Sequence, residues 1–349
     1  MRHLILPLLG LGLLGCTGGG SPPSAKADAV PPQPATGASC AGIYGDPPRE
    51  LTSSPSAIGD LPFQLLEACT LRGGEMLTWD DGTGTPRQAC LHMPAMATAA
   101  KLPLVTFLQG SLFPADPQSI YNGWELQNNT ADLTGDPARA GFILLVPYGR
   151  DTTHFYPSPD DTGLGWDNWY RNFNRDDPAL NTDAAAIDHF IAEVKSRGVV
   201  DEDRVYMSGW SNGAAMAILY TLNTPGIAAA AVYSNPDPFS DALDPCAQPP
   251  FGNNLAPVMH VLNDCDVIGI CHTGGLGFRD KMRAVMPGVE LKTVIIDPLQ
   301  QETDACDASC PAYTGDQAEL LTPGVLHHLT WPYAWSDALF QFMREHPRS

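Results

Sequence analysis

Six short apolar runs, separated by polar or helix-period segments, set the strongest limit on the architecture of this 349-residue chain. They are "LPLVTFLQG" (102–110), "GFILLVP" (141–147), "RVYMSG" (204–209), "AAAAVYSN" (228–235), "APVMHVLN" (256–263) and "LKTVII" (291–296). Each has the length of a strand and is stopped by Gly, Pro or Asn. A strand that is apolar at consecutive positions has no face to give to water, so these runs predict a largely parallel sheet covered on both sides. Between them, "TDAAAIDHFIAEVKSRG" places Ile187, Phe190, Ile191 and Val194 at helical spacing and closes on Lys195, Arg197 and Gly198, a helix C-terminal pattern. The segment "WSDALFQFMREH" predicts a last helix capped by Ser336, with Leu339, Phe340 and Phe342 turned inward. Strands alternating with helices define an α/β fold with a mostly parallel central sheet and helices on both faces. No internal repeat interrupts the pattern.

Outside this region the chain has a different character. "MRHLILPLLGLGLLGC" begins with a basic residue, continues as an apolar run too short to cross a bilayer, and ends in small residues, as a secretion signal does. Its close, Leu13 to Cys16, resembles the lipobox of bacterial lipoproteins, in which the cysteine carries the lipid. That reading makes Cys16 the lipidation site and, with Thr17 next to it in place of Asp, directs the protein to the outer membrane; a plain signal would leave it periplasmic or secreted. Residues 16–39 are Gly, Pro, Ala and Ser with little to bury, and read as a flexible tether. The expected organisation is therefore a signal peptide at 1–15, a tether at 16–39 and one catalytic domain at 40–349.

The 39 acidic and 19 basic residues give a net charge of -20, the wrong sign for a phosphate-binding surface, so nucleic acid is excluded as a partner. The nine cysteines become eight once Cys16 is set aside, and an even number in an exported chain argues for disulfides. The close pairs Cys265/Cys271 and Cys306/Cys310 are the first candidates. No C-x-x-C pair supports zinc.

The stretch "RVYMSGWSNGAAMA" (204–217) holds Ser211 between Gly209 and Gly213. With 33 glycines in the chain, roughly one serine in a hundred would be flanked this way by chance, so the context carries the weight. A strand running into Gly209 and a helix beginning near Asn212 would put Ser211 on a nucleophile elbow, with Ala214 and Ala215 allowing close helix packing. A serine nucleophile needs a base, and the base needs an acid. Asp264 and Asp266 follow one apolar run and His327 and His328 precede the last helix, which is the order Ser, acid, His of the α/β hydrolases.

"LPLVTFLQGS", "GFILLVPYGR", "GWDNWY" and "VDEDRVYMSGWSNGAAMA" together resemble the secreted esterases grouped with polyhydroxybutyrate depolymerases and feruloyl esterases. The likeness is good over about residues 100–220 and looser elsewhere, and it implies the α/β-hydrolase fold. It also implies Asp266 as the acid, in the turn "NDCDVIG", with Asp264 as the alternative. His328 is implied as the base, being nearer the Trp331-Pro332 pair, with His327 as the alternative. Two positions depart from the family: Gln109 stands where it has His, and Ala214 where it has a second Gly. The oxyanion donors are expected to be the backbone N–H groups of Ser111 and Asn212, which Gln109 need not remove.

These residues predict a serine ester hydrolase that needs neither metal nor cofactor, acting on an ester substrate that is polymeric in the family it resembles. Trp166, Trp169 and Trp210 are candidates for an open substrate cleft, or equally for core packing; Trp166 and Trp169 lie in a long loop, 148–180. A serine peptidase on the same fold and a non-catalytic surface lipoprotein that keeps the fold for binding are the other readings. The expected membrane contact is the N-terminal lipid anchor; the oligomeric state is left open.

Overall fold

Every one of the six apolar runs forms a strand in the computed structural model of the chain, and each strand feeds two cores at once. The structure describes residues 50–53, 69–82, 86–95, 100–110, 122–154, 161–166, 173, 175–176, 181–238, 252, 254–266, 274–304 and 323–348. These belong to the unit Pro34–Ser349. The expected signal peptide, Cys16 and the tether lie outside the described residues.

In chain order the strands are β1 (Glu50–Ser53), β2 (Glu75–Trp79), β3 (Arg87–His92), β4 (Leu102–Leu108), β5 (Ile143–Pro147) and β6 (Arg150–His154). They continue with β7 (Asp161–Gly165), β8 (Val200–Trp210), β9 (Ala229–Tyr233), β10 (Val258–Asn263), β11 (Leu291–Ile296) and β12 (Glu302–Thr303). The helices are α1 (Trp124–Gln127), α2 (Thr182–Ser196), α3 (Asn212–Asn223), α4 (Gly275–Val285), α5 (Pro323–Leu329) and α6 (Ser336–Glu345).

The main sheet has nine strands in the order β12-β11-β10-β9-β8-β4-β5-β3-β2. Neighbours from β11 through β5 are parallel, while β12, β3 and β2 join antiparallel at the two ends. Strands β1, β6 and β7 pair antiparallel in a separate three-stranded sheet. Side chains alternate across a strand, and here both faces are dry. Leu104 and Leu108 of β4 enter one core with α2 and α3, whereas Val105 and Phe107 enter the other with α6 and Trp331. Val205 and Met207 of β8 take the first side and Tyr206 and Trp210 the second. Burying a Leu, Val or Phe side chain contributes about 1.5–3 kcal/mol, so both faces must be covered for the sheet to hold.

One local detail differs from expectation, and a second was not foreseen. Ser336 is the first residue of α6 and not its cap; Trp335, in a 3-10 turn, occupies the cap position without a side-chain bond. The Ser336 hydroxyl instead accepts from the Trp331 indole N–H at 3.2 Å. Arg87 of β3 is buried and pairs with Asp183, in the first turn of α2, at 2.7 Å.

The order of the strands positions the site. From β4 the chain steps to β5 on one side, and from β8 it steps outward through β9, β10 and β11 on the other. At such a reversal the loops leaving neighbouring strands part, opening a crevice at the strand C-termini. The β4 and β8 C-termini, leading to Gln109 and Ser211, flank it.

Candidate active site

Ser211 sits between the end of β8 and the start of α3 with φ 56° and ψ -125°, a conformation that few non-glycine residues adopt. Its backbone N–H donates to the Tyr233 carbonyl at 3.1 Å, which fixes the elbow against β9. The flanking glycines are required by close approach. A Cβ on Gly209 would lie 2.5 Å from the Gly213 carbonyl oxygen, and one on Gly213 would lie 2.2 Å from that of Gln109. Without side chains at these positions, β4, β8 and α3 converge tightly under the serine.

The turn after β10 carries Asp266, and the last turn of the short helix α5 carries His328. The structure brings Ser211, His328 and Asp266 together. His328 Nε2 is 3.0 Å from Ser211 Oγ, and Nδ1 is 2.9 and 3.0 Å from the two Asp266 carboxylate oxygens. Both side chains are buried. Hydroxyl, imidazole and carboxylate thus form a hydrogen-bonded chain able to remove the serine proton and hold the resulting imidazolium. His327 is tied through its carbonyl, which accepts from the Tyr233 hydroxyl at 3.1 Å. Asp264 donates its backbone N–H to the Ile296 carbonyl at 2.8 Å.

Ser234, buried at the end of β9, also reaches this chain: its hydroxyl donates to Asp266 Oδ2 and lies 2.9 Å from His328 Nδ1. Sequence reasoning missed it. It is the second-last residue of the run "AAAAVYSN", with no motif of its own, and only the adjacency of β9 to the elbow strand β8 signals its place.

Asn212 begins α3, where the N-terminal turn of a helix directs its N–H groups toward developing negative charge. Its side chain is locked to Trp166 in both directions, accepting from the Trp166 N–H at 2.7 Å and donating to the Trp166 carbonyl at 2.9 Å. Ser111 lies outside the described residues. Gln109 is buried, with its amide bonded to the Pro147 carbonyl at 3.2 Å and to the Gly149 N–H at 2.8 Å. The amide therefore braces the end of β4 against the end of β5.

Of the three candidate tryptophans, Trp166 and Trp210 do not line an open cleft. Trp166 and Trp210 are 1% and 2% exposed. The Trp166 indole donates to the Gln109 carbonyl and that of Trp210 to the His328 carbonyl, each at 3.0 Å. Their rings are buried, and their indole N–H groups tie the Trp166 segment to the end of β4 and the histidine segment to the end of β8. Trp169 lies outside the described residues, as do Cys271, Cys306 and Cys310. Cys265, next to Asp266, is disulfide-bonded. The described bridge joins Cys69 to Cys90, a pair the sequence left unassigned. Among the described residues, no group of three His, Cys, Asp or Glu side chains gathers as metal ligands would.

The sheet order, the elbow and the positions of Ser211, Asp266 and His328 define the α/β-hydrolase fold, and solved structures share it. One is a thermophilic carboxylesterase cloned from a metagenomic library, 14% identical with a TM-score of 0.50 over 85% of this chain and 98% of that one. Another is an S-formylglutathione hydrolase from Agrobacterium tumefaciens, 11% identical with a TM-score of 0.50 over 79% and 96%. A thermostable esterase aligns at 17% identity and a TM-score of 0.47, the match covering 79% of this chain and 63% of that one. Comparison with protein-family models and with curated proteins gives no match.

Proposed function

We propose that the protein is a serine hydrolase of carboxylic esters, working through an acyl-enzyme on Ser211. One observation carries the reading: a serine held at φ 56° on a strand-to-helix elbow, with an imidazole nitrogen 3.0 Å from its hydroxyl and that imidazole's other nitrogen on a buried carboxylate. In this reading His328 takes the Ser211 proton as the hydroxyl attacks the ester carbonyl, and Asp266 stabilises the imidazolium. The oxyanion rests on backbone N–H groups of Asn212 and Ser111. His328 then protonates the departing alcohol, and water, activated by the same ring, releases the acid.

The substrate is proposed to be a polymer-linked ester of the hydroxyalkanoate or feruloyl kind, on the strength of the motifs in residues 100–220. The lipobox-like end at Cys16 supports an exported protein, anchored through that cysteine to the outer membrane. Fold likeness to structures named as esterases agrees with the chemistry, while the site geometry carries it.

The test exposes the protein to a fluorophosphonate, maps the adduct by mass spectrometry and assays p-nitrophenyl acetate and butyrate in parallel. A single adduct on Ser211 with ester turnover is expected, and Ser211→Ala should lose both while unfolding at the wild-type temperature. A folded, disulfide-intact protein that neither labels nor turns over would leave the non-catalytic binding reading in its place.

A further inference from the structure

Resting on the hydrolase reading, we propose that Ser234 is a positioning residue that orients the Asp266 carboxylate toward His328, so that the base is held by two groups and not one. Three observations converge on it. First, Ser234 has φ 56°, one of three positive φ values at non-glycine positions among the described residues, another being the proposed nucleophile itself. A serine at that angle is disfavoured and persists only where its surroundings over-determine it. Second, the hydroxyl it thereby presents is fully buried and touches both partners of the proposed acid and base, Asp266 Oδ2 and His328 Nδ1. A hydroxyl has one proton. Donated to the carboxylate, it leaves the oxygen lone pairs facing the Nδ1–H, which is then shared among Ser234 Oγ and both carboxylate oxygens.

Third, the neighbouring residues fix the turn from outside the site. The Ser234 N–H donates to the Val261 carbonyl at 2.8 Å. Asn235, buried beside it, accepts through Oδ1 from the ring of His260 on β10 at 2.9 Å. Ser234 is thus anchored to β10, the strand that delivers Asp266, and the acid and its brace move as one unit. Each hydrogen bond to a carboxylate narrows its last side-chain torsion, which is otherwise broad and roughly two-fold. The serine hydroxyl adds such a restraint and favours the His328 tautomer with its proton on Nδ1, leaving Nε2 to accept from Ser211.

Two variants separate this role from a structural one. Ser234→Gly loses the hydroxyl but suits the positive φ, so it should unfold at or above the wild-type temperature. Ser234→Ala loses the hydroxyl and keeps the backbone strain. Both should show kcat reduced about 10- to 100-fold, the loss of one hydrogen bond to a charged group, with KM within about two-fold of wild type. Phosphonylation of Ser211, which needs the base but little substrate binding, should slow by a similar factor. Wild-type kcat and labelling rate in Ser234→Gly would overturn the proposal, as would activity loss that only tracks lower thermal stability in both variants. Should the wild-type protein itself fail to label and turn over, the hydrolase reading fails first, a different result from an active wild type matched by an active glycine variant.

Discussion

At the scale of single residues, what the sequence makes legible is what local geometry demands. Ser211 and Asn212 stand out because an elbow needs small neighbours, and the reason is now explicit: a Cβ on Gly213 would sit 2.2 and 2.3 Å from the carbonyl oxygens of Gln109 and Leu108. These are backbone atoms at the end of β4 and cannot swing aside. Gly213→Ala should therefore destabilise the protein by about 3 kcal/mol, at the upper end of overpacking penalties, and displace the loop that follows Gln109. Urea unfolding and ester turnover both report it, and an unchanged midpoint with full activity would refute the close approach. Residues whose roles depend on distant partners left no such trace. Ser234 acts through groups 32 and 94 positions away. Trp210 looks from its place beside the nucleophile like a substrate contact, yet its indole reaches across 118 positions to hold the His328 carbonyl. Nothing local to either residue encodes that.

Among elements, β4, β5, β9, β10 and the second half of β8 were readable because both of their faces are buried, which leaves a nearly uninterrupted apolar run, whereas β11, with Lys292 exposed, was readable from the apolar Val294, Ile295 and Ile296 at its end. β3 escaped because its burial includes charge: Arg87 is inside, made tolerable by Asp183 at 2.7 Å. β2 and β12 escaped because they are edge strands with exposed and half-buried positions. β10 was read correctly, yet it carries a buried polar residue with consequences for pH. His260 is fully enclosed, and burial, followed by repulsion from Arg279 and Arg283 of α4, pushes its pKa down from 6.5 to about 3. The unfolded chain takes up a proton near pH 6.5 that the folded chain refuses, so this contribution to stability is complete above that pH. It declines as the pH falls from 6.5 toward 3. By pH 5 the loss from this residue amounts to about 2 kcal/mol. Unfolding in urea at pH 7 and pH 5 should show it. His260→Gln should be less stable than wild type at pH 7 but lose about 2 kcal/mol less between the two pH values. Equal losses in the two proteins would mean that the His260 ring does not remain neutral in the fold.

For the whole molecule, the alternation of apolar runs with helix-period segments foretold the fold class, and the even cysteine count foretold a disulfide-bearing chain, but neither foretold how strands are ordered or cysteines paired. Both are decided by contacts distant in sequence. Cys69 and Cys90 lie 21 positions apart, and their bridge ties β3 to the segment just before β2. The chain has been shaped around it: Gly74, between them, leaves the space in which a Cβ would lie 2.5 Å from Cys90 Sγ and 2.7 Å from Cys69 Sγ. Closing a loop of this length restricts the unfolded chain by about 3 kcal/mol in the chain-entropy view. A Cys69→Ala, Cys90→Ala double variant should accordingly lose about 3 kcal/mol in urea unfolding while kcat at 25 °C stays at the wild-type level, because neither sulfur touches Ser211, His328 or Asp266. Reducing the wild-type protein with dithiothreitol opens more than this bridge. Cys265, also disulfide-bonded, adjoins Asp266, so its release frees the acid turn. The reduced wild type should then lose activity under conditions where the double variant, left oxidised, remains active. If both lose activity together, the Cys69–Cys90 bridge shapes the site itself; if neither does, the turn carrying Asp266 keeps its shape without the Cys265 bridge.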